Sequence, residues 1–393
     1  MAISARLEAG WLKAPELAAV WGALGLEDCR LVGGCVRDGL LGVTVSDIDL
    51  ATRHRPDVVM KKARAAGLKT VPTGLSHGTV TVIANSKPFE VTTLREDVET
   101  DGRHAVVQFA SDWKTDAARR DFTINALYAT HDGAVEDYFG GLDDLKEGRV
   151  RFIGVPHERI DEDALRILRF YRFSVRFASI LDGPARIACR ALKAMVAGLS
   201  QERIAAEWLK ILAHPAPLDG LRAMAGDGVL AQFLPEANVE ALEAVLAAEQ
   251  AYGLDIAVPR RFAALLPWDA SIAEAVGSRL KLSNAIKTAL IARRTAMALD
   301  SPIESLFYSY GPDLVLDMHV LQGQPIAESL MAQATAWVRP QFPVSGHDVA
   351  DATGLSGKPL GEALKRLEAD WVDSGFQMDK AALLASLSNP DMR

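Results

Sequence analysis

The strand patterns of this chain stop at about residue 157, and this change limits the fold more than any other feature. Before it, strand and helix patterns alternate; TVTVIA (79–84) and FEVTTL (89–94) are separated by NSKP, which predicts a hairpin. A second hairpin is predicted over 126–139. After it, the pattern is helical, with breaks at 213–220, 299–302 and 339–346. The sequence therefore predicts an α+β head, a mixed β-sheet with helices, followed by an all-helical region.

The size and composition of the chain limit its class. Its 393 residues exceed one ordinary core, so roughly two to four domains are expected. The formal net charge of −8 argues against a surface coated in positive charge for non-specific binding of nucleic acid. The three cysteines have neither zinc nor disulfide spacing, which favours a reducing, cytoplasmic location. We expect no membrane span, and no signal or transit peptide, since Glu8 and Glu16 interrupt the N-terminal pattern.

A glycine pair, Gly33-Gly34, separates a short apolar strand pattern from a helix pattern. A glycine turn at such a place brings backbone N–H groups close to a ligand, which suits phosphate oxygens. Asp47 and Asp49 follow in a second apolar run, and on a strand they would face the same side. Two adjacent carboxylates repel each other unless a cation lies between them. The stretch predicts a phosphate site facing a metal site. Taken singly, the glycine pair could be an ordinary turn, and the two aspartates could lie at an exposed strand end.

Two polar stretches follow the strand pattern FEVTTL. The segment 95–116 is polar and irregular, and its length predicts a mobile functional loop. RRDFTINAL (119–127) places Arg119, Arg120 and Asp121 just before an apolar segment. Considered alone, this second motif favours an exposed charged helix end over a functional site.

A basic island occupies residues 149–190, with nine arginines against five acids. In ERIDEDALRILRFYRFSVRF (158–177), which the pattern predicts as one helix, four arginines are spaced about three apart: Arg166, Arg169, Arg172 and Arg176. This spacing drifts around a helix of 3.6 residues per turn, so several of these side chains face packed surroundings. Arginines there need anionic partners, from protein acids or from phosphates. We interpret the island as phosphate-binding.

Asp163 and Arg166 lie three residues apart in that predicted helix, and two interpretations apply to them. One is an intrahelical salt bridge. The other is base recognition, because a carboxylate accepts and a guanidinium donates hydrogen bonds. Cytosine and adenine both offer an amino donor beside a ring-nitrogen acceptor, whereas guanine and uracil offer a carbonyl beside a ring N–H. Such a pair would bind C or A and reject G or U, since a mismatched buried edge leaves polar groups unpaired.

Two other site classes gain no support from the sequence. GHD (346–348) suggests a His-Asp metal pair, but the eight histidines are scattered and the stretch is interpreted as a helix start. Neither a P-loop nor a G-x-G-x-x-G motif is present.

Taken together, the motifs resemble those of the class II tRNA nucleotidyltransferases, the CCA-adding enzymes, of the DNA polymerase β-like superfamily. The motifs that carry this resemblance are LVGGCVRDGLLG with DIDL, FEVTTLRED with DGRH, RRDFTINAL, EDALRILRF and LSQERIAAEWLKIL. The resemblance implies addition of C, C and A from CTP and ATP to the 3′ end of tRNA without a nucleic-acid template. It also implies four domains: a head (1–150), a neck (151–213), a body (214–338) and a tRNA-contacting tail (339–393).

The same resemblance implies a role for each motif residue. Asp47 and Asp49 would hold Mg²⁺, with Glu90 as a third carboxylate on the adjacent strand. The residues that would bind the nucleotide are Gly33, Gly34, Arg37, Arg120, Asp121, Asp163, Arg166, Arg169 and Arg172. Among these, Asp163 and Arg166 would read the base. A flexible loop containing Asp101 and Arg103 would govern the change from C to A.

Three alternatives remain beside full CCA addition. A poly(A) polymerase shares the head, but the chain has no arginine-rich segment after FEVTTL and no basic C-terminal tail. A partial, CC- or A-adding enzyme is the second alternative; CC-adding enzymes typically lack the flexible-loop element that DVETDGRHAVVQF resembles. A non-catalytic RNA-binding scaffold is the third, and the intact Asp47, Asp49 and Asp163 oppose it.

Overall fold

The structure is a computed structural model that describes residues 6–101, 104–110, 112–295 and 299–387, with the backbone alone described over 97–101 and 104–108. It divides the chain into two compact units, Met1–Val239 and Glu240–Arg393. Within the described residues, all strands lie in the first unit, and the second unit is helical. The predicted α+β class is therefore confirmed. The four predicted domain boundaries stay predictions.

Strands of the first unit form one mixed sheet and one separate hairpin. The strands in the described residues are β1 (Cys29–Val32), β2 (Asp49–Thr52), β3 (Lys69–Gly74), β4 (Thr79–Ala84), β5 (Lys87–Thr93), β6 (Arg95–Asp101), β7 (His104–Phe109), β8 (Leu127–Ala129) and β9 (Val135–Asp137). The sheet order is β3-β4-β5-β2-β1-β8-β9, and β6 pairs with β7. In the sheet β2 and β5 run parallel, with Asp49 directly opposite Glu90. This register brings two acids of distant sequence motifs side by side.

Both predicted hairpins of the sheet are present. β4 and β5 are joined by Asn85 and Ser86, whose φ angles of 47° and 67° are left-handed. Such turns match the twist of a two-residue hairpin. β8 and β9 pair across the turn at Asp132-Gly133, where Gly133 has a φ of 87°. The turn residues therefore located these strands correctly.

The prediction of an irregular loop over 95–116 is wrong. β6 and β7 pair from Arg95 opposite Phe109 to Asp101 opposite His104, and a short helix follows. β6 (REDVETD) is almost wholly polar, and β7 (HAVVQF) has its apolar residues side by side, so neither stretch shows the strict alternation of a half-buried strand. Asp101 ends β6, whereas Arg103 lies outside the described residues.

The helices of the first unit surround the sheet or follow it. They are α1 (Pro15–Leu24), α2 (Gly34–Leu40), α3 (Pro56–Ala65), α4 (Trp113–Ala118), α5 (Gly141–Glu147), α6 (Pro156–Glu162), α7 (Leu165–Phe177), α8 (Gly183–Ala191), α9 (Gln201–Leu212) and α10 (Leu218–Gly226). The prediction of one helix over 158–177 is wrong, because Asp163 is extended, with φ −156° and ψ 105°. Its carboxylate accepts a hydrogen bond from the Leu165 backbone N–H at 3.1 Å. Aspartate favours a helix start in this way, and it begins α7 here.

The core of the first unit joins the sheet to its helices. Val32, Trp113 and Tyr128 are buried in one cluster, with the edge of the Trp113 ring against Tyr128. Cys29 and Cys35 are also buried, as small core residues.

The second unit consists of helices in the residues that the structure describes. They are α11 (Ala241–Tyr252), α12 (Val258–Leu265), α13 (Ala270–Arg279), α14 (Asn284–Ala292), α15 (Ile303–Tyr310), α16 (Pro312–Leu321), α17 (Glu328–Ala336), α18 (Gly346–Thr353), α19 (Lys358–Asp373) and α20 (Lys380–Ser386). GHD does begin a helix, since Ser345 and Asp348 form a capping box at the start of α18. Over the described ranges, no helix has the length and apolar character needed to cross a bilayer.

Candidate active site

A cavity of about 520 Å³ in the first unit brings most of the predicted site residues together. Its arginines are Arg37, Arg95, Arg119, Arg120, Arg166, Arg169, Arg172, Arg176 and Arg203. Its other lining residues are Gly33, Gly34, Asp49, Asp121, Asn125, Asp163, Leu165 and Phe173. A cavity with this excess of guanidinium groups suits a polyanion such as a nucleoside triphosphate.

The glycine pair lies where β1 ends and α2 begins. Gly33 has φ 73° and ψ −123°, which a residue with a side chain rarely adopts. A Cβ at this position would lie 3.4 Å from Nη1 of Arg120. The backbone of Gly33 therefore comes close to the Arg120 guanidinium on the cavity wall, and the predicted binding of phosphate at this turn stays a prediction.

A chain of hydrogen bonds runs from Arg37 to Arg169 across the cavity wall. The Arg37 guanidinium, 5 % exposed, donates from Nε to Asp38 at 2.8 Å and from Nη1 to the side-chain oxygen of Asn125. Asn125 donates to Oδ1 of Asp121 at 3.0 Å, and Arg169 Nε donates to Oδ2 at 2.7 Å. Burial alone would raise the pKa of Asp121, but Arg169 and Asn125 outweigh burial and lower it. Asp121 is therefore an ionised carboxylate that orients its neighbours.

The acidic side of the cavity contains Asp49, with Asp47 and Glu90 nearby. Burial, together with the charges of Glu90 and Asp47, raises the pKa of Asp49 to about 6, although Arg120 acts in the opposite direction. The prediction that both aspartates lie on a strand is wrong for Asp47. β2 begins at Asp49, and Asp47 precedes it, exposed and accepting a hydrogen bond from Ser46 Oγ at 2.9 Å.

A divalent cation fits this acidic side. Burial and the neighbouring carboxylates both disfavour ionisation of Asp49, and a cation between the carboxylates would remove their mutual repulsion. Among the described residues, no three His, Cys, Asp or Glu side chains form a preformed metal cage. Mg²⁺ is commonly held by one or two carboxylates together with substrate phosphates rather than by such a cage.

Arg120 is positioned by two buried groups. Its Nε donates to the Tyr128 hydroxyl and its Nη2 to Asp116, both at 3.2 Å. Asp116 also accepts from Arg119 Nε at 2.8 Å. Burial raises the pKa of Asp116, yet Arg120, Arg119 and Tyr128 together lower it to about 2. One carboxylate thus holds two adjacent arginines of the cavity.

Asp163 and Arg166 both line the cavity, but they do not pair with each other. Arg203 on α9 donates from Nη2 to Asp163 Oδ2 at 2.6 Å. Arg166 instead pairs with Glu162 and donates to the backbone oxygen of Arg159 at 2.6 Å. The intrahelical salt bridge is therefore wrong, because the helix breaks at Asp163 and each side chain has another partner.

The other arginines of α7 also have carboxylate partners. Arg172 Nε lies 2.6 Å from Glu207 Oε2, an ion pair without hydrogen-bond alignment, and Arg176 donates to Asp38 at 3.0 Å. These contacts confirm that the arginines need anionic partners. Their predicted contact with phosphates stays a prediction.

Sequence reasoning missed several residues of the cavity. Asn125 lies within RRDFTINAL and Arg203 within LSQERIAAEWLKIL, but no sequence pattern singled out either residue. Phe173 also lines the cavity, and the Arg172 guanidinium lies over its ring at 4.2 Å. Arg203 and Glu207 are four residues apart and share one face of α9, where Arg203 pairs with Asp163 and Glu207 pairs with Arg172. This spacing of two opposite charges was the available signal in the sequence.

Comparisons with known proteins agree with this geometry. Residues 29–151 match the Poly A polymerase head domain family, and residues 182–240 match the family described as probable RNA and SrmB-binding site of polymerase A. Human CCA tRNA nucleotidyltransferase 1, mitochondrial, is 36 % identical over 91 % of this chain and 86 % of its own length. The CCA-adding enzyme of Streptococcus sanguinis is 33 % identical over 91 % of this chain and 92 % of its own length.

The crystal structure of Bacillus stearothermophilus CCA-adding enzyme in complex with CTP has a TM-score of 0.74 and 28 % identity. The match covers 95 % of this chain and 97 % of that one. The chain belongs to the CCA tRNA nucleotidyltransferase family, the CCA-adding enzymes. The resemblance seen in the motifs is thus confirmed, and relatives matched over most of the chain favour this family over the poly(A) polymerases.

Proposed function

We propose that this chain adds C, C and A in turn to the 3′ end of tRNA, taking CMP from CTP and AMP from ATP. In each step the terminal hydroxyl oxygen of the tRNA bonds to the α-phosphorus, and the bond to pyrophosphate breaks. The observation that carries the proposal is one cavity lined by nine arginines, Arg166 among them, together with Asp163 and Asp49. The family membership supports the same reaction.

Asp163 and Arg166 would read the incoming base. Asp163 accepts from Arg203 and from the Leu165 backbone, and an ionised carboxylate has about four acceptor sites, so it retains capacity for an amino group. Arg166 would donate to the ring nitrogen. Cytosine and adenine both satisfy this pair, and guanine and uracil do not, which gives selection without a nucleic-acid template.

The triphosphate would be bound on the arginine-rich wall. Gly33 presents its backbone beside the Arg120 guanidinium and Gly34 beside that of Arg37, which begins the hydrogen-bond chain. Arg169 and Arg172 would contact the phosphates, and Arg120 and Asp121 would position the nucleotide. Fixed guanidinium groups in a cavity stabilise the charge of the leaving pyrophosphate without reorganising.

Asp47 and Asp49 would hold the divalent cation, which we propose to be Mg²⁺, with Glu90 as the neighbouring third carboxylate. When bound, the ion would favour ionisation of the attacking hydroxyl and neutralise charge on the transferring phosphate.

The β6–β7 hairpin would govern the change from C to A. Adenine and cytosine present the same edge to Asp163 and Arg166, so another element must adjust the space for the larger base. The hairpin starts at Arg95, which lines the cavity, and Asp101 lies at its far end. Asp101 and Arg103 are proposed to act there.

A cytoplasmic location is proposed on the buried, unpaired state of Cys29, Cys35 and Cys189, which suits a reducing compartment. Some relatives are named mitochondrial, so cell fractionation is the test. A chain found wholly in an organelle fraction would contradict the proposal.

Incubation with tRNA lacking its last three nucleotides tests the reaction. CTP alone should give two additions, and CTP with ATP three, when products are separated at single-nucleotide resolution. A long A tail would indicate poly(A) polymerase, and arrest after CC with both nucleotides would indicate a partial enzyme. Absence of any addition with Mg²⁺ present would indicate a non-catalytic RNA-binding protein.

A further inference from the structure

The side chain of Arg159, on α6, binds backbone carbonyl groups at the end of α4. Its Nη2 donates to the main-chain oxygens of Arg119 and Arg120 at 2.6 and 2.9 Å. These two residues follow the last residue of α4, where carbonyl groups lack partners within the helix. A guanidinium that binds both carbonyls fixes the direction in which the chain leaves α4.

The other end of the Arg159 guanidinium is fixed as well. Nη1 lies 2.7 Å from Glu162 Oε1 and 2.6 Å from Oε2. Glu162 also pairs with Arg166, which in turn donates to the backbone oxygen of Arg159. Arg159 is therefore tied on one side to the segment after α4 and on the other to a base-reading side chain.

Arg159 is not among the residues that line the cavity, and its side chain is 12 % exposed. Its Nη atoms are occupied by carbonyl and carboxylate oxygens, and Nε is buried without a hydrogen-bond partner in the described part of the chain. It is therefore placed to act through other residues and not on the nucleotide.

We propose that Arg159 is a positioning residue that sets the distance between the nucleotide-positioning segment, Arg120 and Asp121, and the base-reading pair, Asp163 and Arg166. The inference rests on the proposed function and concerns how accurately the correct nucleotide is selected. The nucleotide is held at two places, and hydrogen bonds to a base edge weaken steeply when distances or angles deviate. A change in the separation of the two holding points therefore reduces the preference for C and A over G and U.

Three variants test the proposal: Arg159→Ala, Arg159→Lys, and Arg190→Ala on exposed α8 as a control. In Arg159→Ala, the ratio of kcat/KM for CTP to that for UTP should fall about tenfold or more, as for the loss of a charge-assisted hydrogen bond. KM for CTP should rise while KM for tRNA stays unchanged. The CTP-to-UTP ratio of Arg159→Lys should lie between those of the unmodified chain and Arg159→Ala. A single ammonium group cannot bind two carbonyls and a carboxylate with the forked geometry of a guanidinium. Millimolar guanidinium should restore the ratio in Arg159→Ala and leave Arg190→Ala unaffected.

A purely structural Arg159 would give different results. Its loss would lower thermal stability and kcat equally for all nucleotides, with an unchanged CTP-to-UTP ratio, and this outcome would overturn the inference. If Arg159→Ala fails to fold, an unchanged ratio in Arg159→Lys overturns it in the same way. Unmodified chain that is inactive with both CTP and ATP would refute the proposed function, which is a distinguishable result.

Discussion

Arg203 holds Asp163 from another helix: its Nη2 donates to Asp163 Oδ2 at 2.6 Å, across 40 residues of sequence. Asp163 lies at the break between α6 and α7, so its backbone is not constrained by helical hydrogen bonds on both sides. The Arg203 guanidinium therefore fixes the orientation of a carboxylate that would otherwise rotate. The proposed base recognition would thus depend on α9 as well as on the motif that contains Asp163.

Replacing Arg203 should weaken base selection while Asp163 itself remains. In Arg203→Ala, we expect KM for CTP and ATP to rise several-fold and incorporation of UTP to increase, because the acceptor oxygen loses its fixed direction. Lys210→Ala, an exposed position on the same helix, is the matched control. Steady-state kinetics with each nucleotide checks this, and equal behaviour of the two variants would contradict it.

Removing both base-reading side chains should have a larger effect. Asp163→Ala combined with Arg166→Ala leaves no complementary edge, and each lost bond to a charged group corresponds to roughly 1.5–3 kcal/mol. Discrimination against GTP and UTP should therefore fall by at least about tenfold. An unchanged order of preference among the four nucleotides would show that other residues read the base.

The acidic side of the cavity should be needed for the addition of both C and A. Asp47→Ala and Asp49→Ala should each abolish addition of C and of A, as should removal of divalent ions by a chelator. The thermal midpoint of Asp49→Ala should not fall, because the raised pKa of Asp49 shows that its ionised form is disfavoured in the folded protein. A variant that kept addition of A while losing C would refute a shared site.

Asp116 should stabilise the fold in a pH-dependent way. Its folded pKa of about 2 lies below the ordinary 3.8, so its contribution is complete above about pH 4 and is lost as the pH falls toward 2. Asp116→Asn should lower the free energy of unfolding by about 2 kcal/mol at pH 7. Urea titrations should show this difference narrowing below about pH 4. Asp143→Asn, at an exposed position, should show no such dependence. A constant difference at all pH values would contradict the assignment.

Shortening the tip of the β6–β7 hairpin should separate the two activities. Replacing residues 101–104 by a two-residue turn should leave the first two additions intact and stall products at tRNA-CC. Ser86→Gly in the β4–β5 hairpin is the control, since it changes a turn of the sheet while keeping the geometry of that turn. Equal loss of C and A addition would make the β6–β7 hairpin a general structural element.

The sequence predicted those parts of the fold in which local signals and tertiary packing agree. Gly33-Gly34 ended β1 and began α2, and the Asp132-Gly133 turn joined two strands, because both turns need glycine for a left-handed φ. The break at Asp163 was not predicted. The residues that flank Asp163 all suit a helix, so the pattern placed Asp163 inside one. Its side chain instead accepts a backbone hydrogen bond at the start of α7.

The composition of the cavity was largely predicted, but its pairing was not. Motif residues far apart in sequence met in one place, as shown by Asp49 opposite Glu90 across parallel strands. The partner of each arginine depends on which helices are neighbours, and α7 and α9 are neighbours only in the folded unit. Sequence spacing therefore suggested Asp163 with Arg166, whereas packing pairs Asp163 with Arg203.

We propose that one cavity of the first unit takes both CTP and ATP and excludes GTP and UTP. Calorimetric titration of the full chain with each nucleotide, followed by displacement of bound CTP with ATP, tests this directly. We expect one nucleotide per chain, mutual displacement of CTP and ATP, and binding of GTP and UTP at least about tenfold weaker. Simultaneous binding of CTP and ATP to one chain, or equal affinity for all four nucleotides, would contradict it.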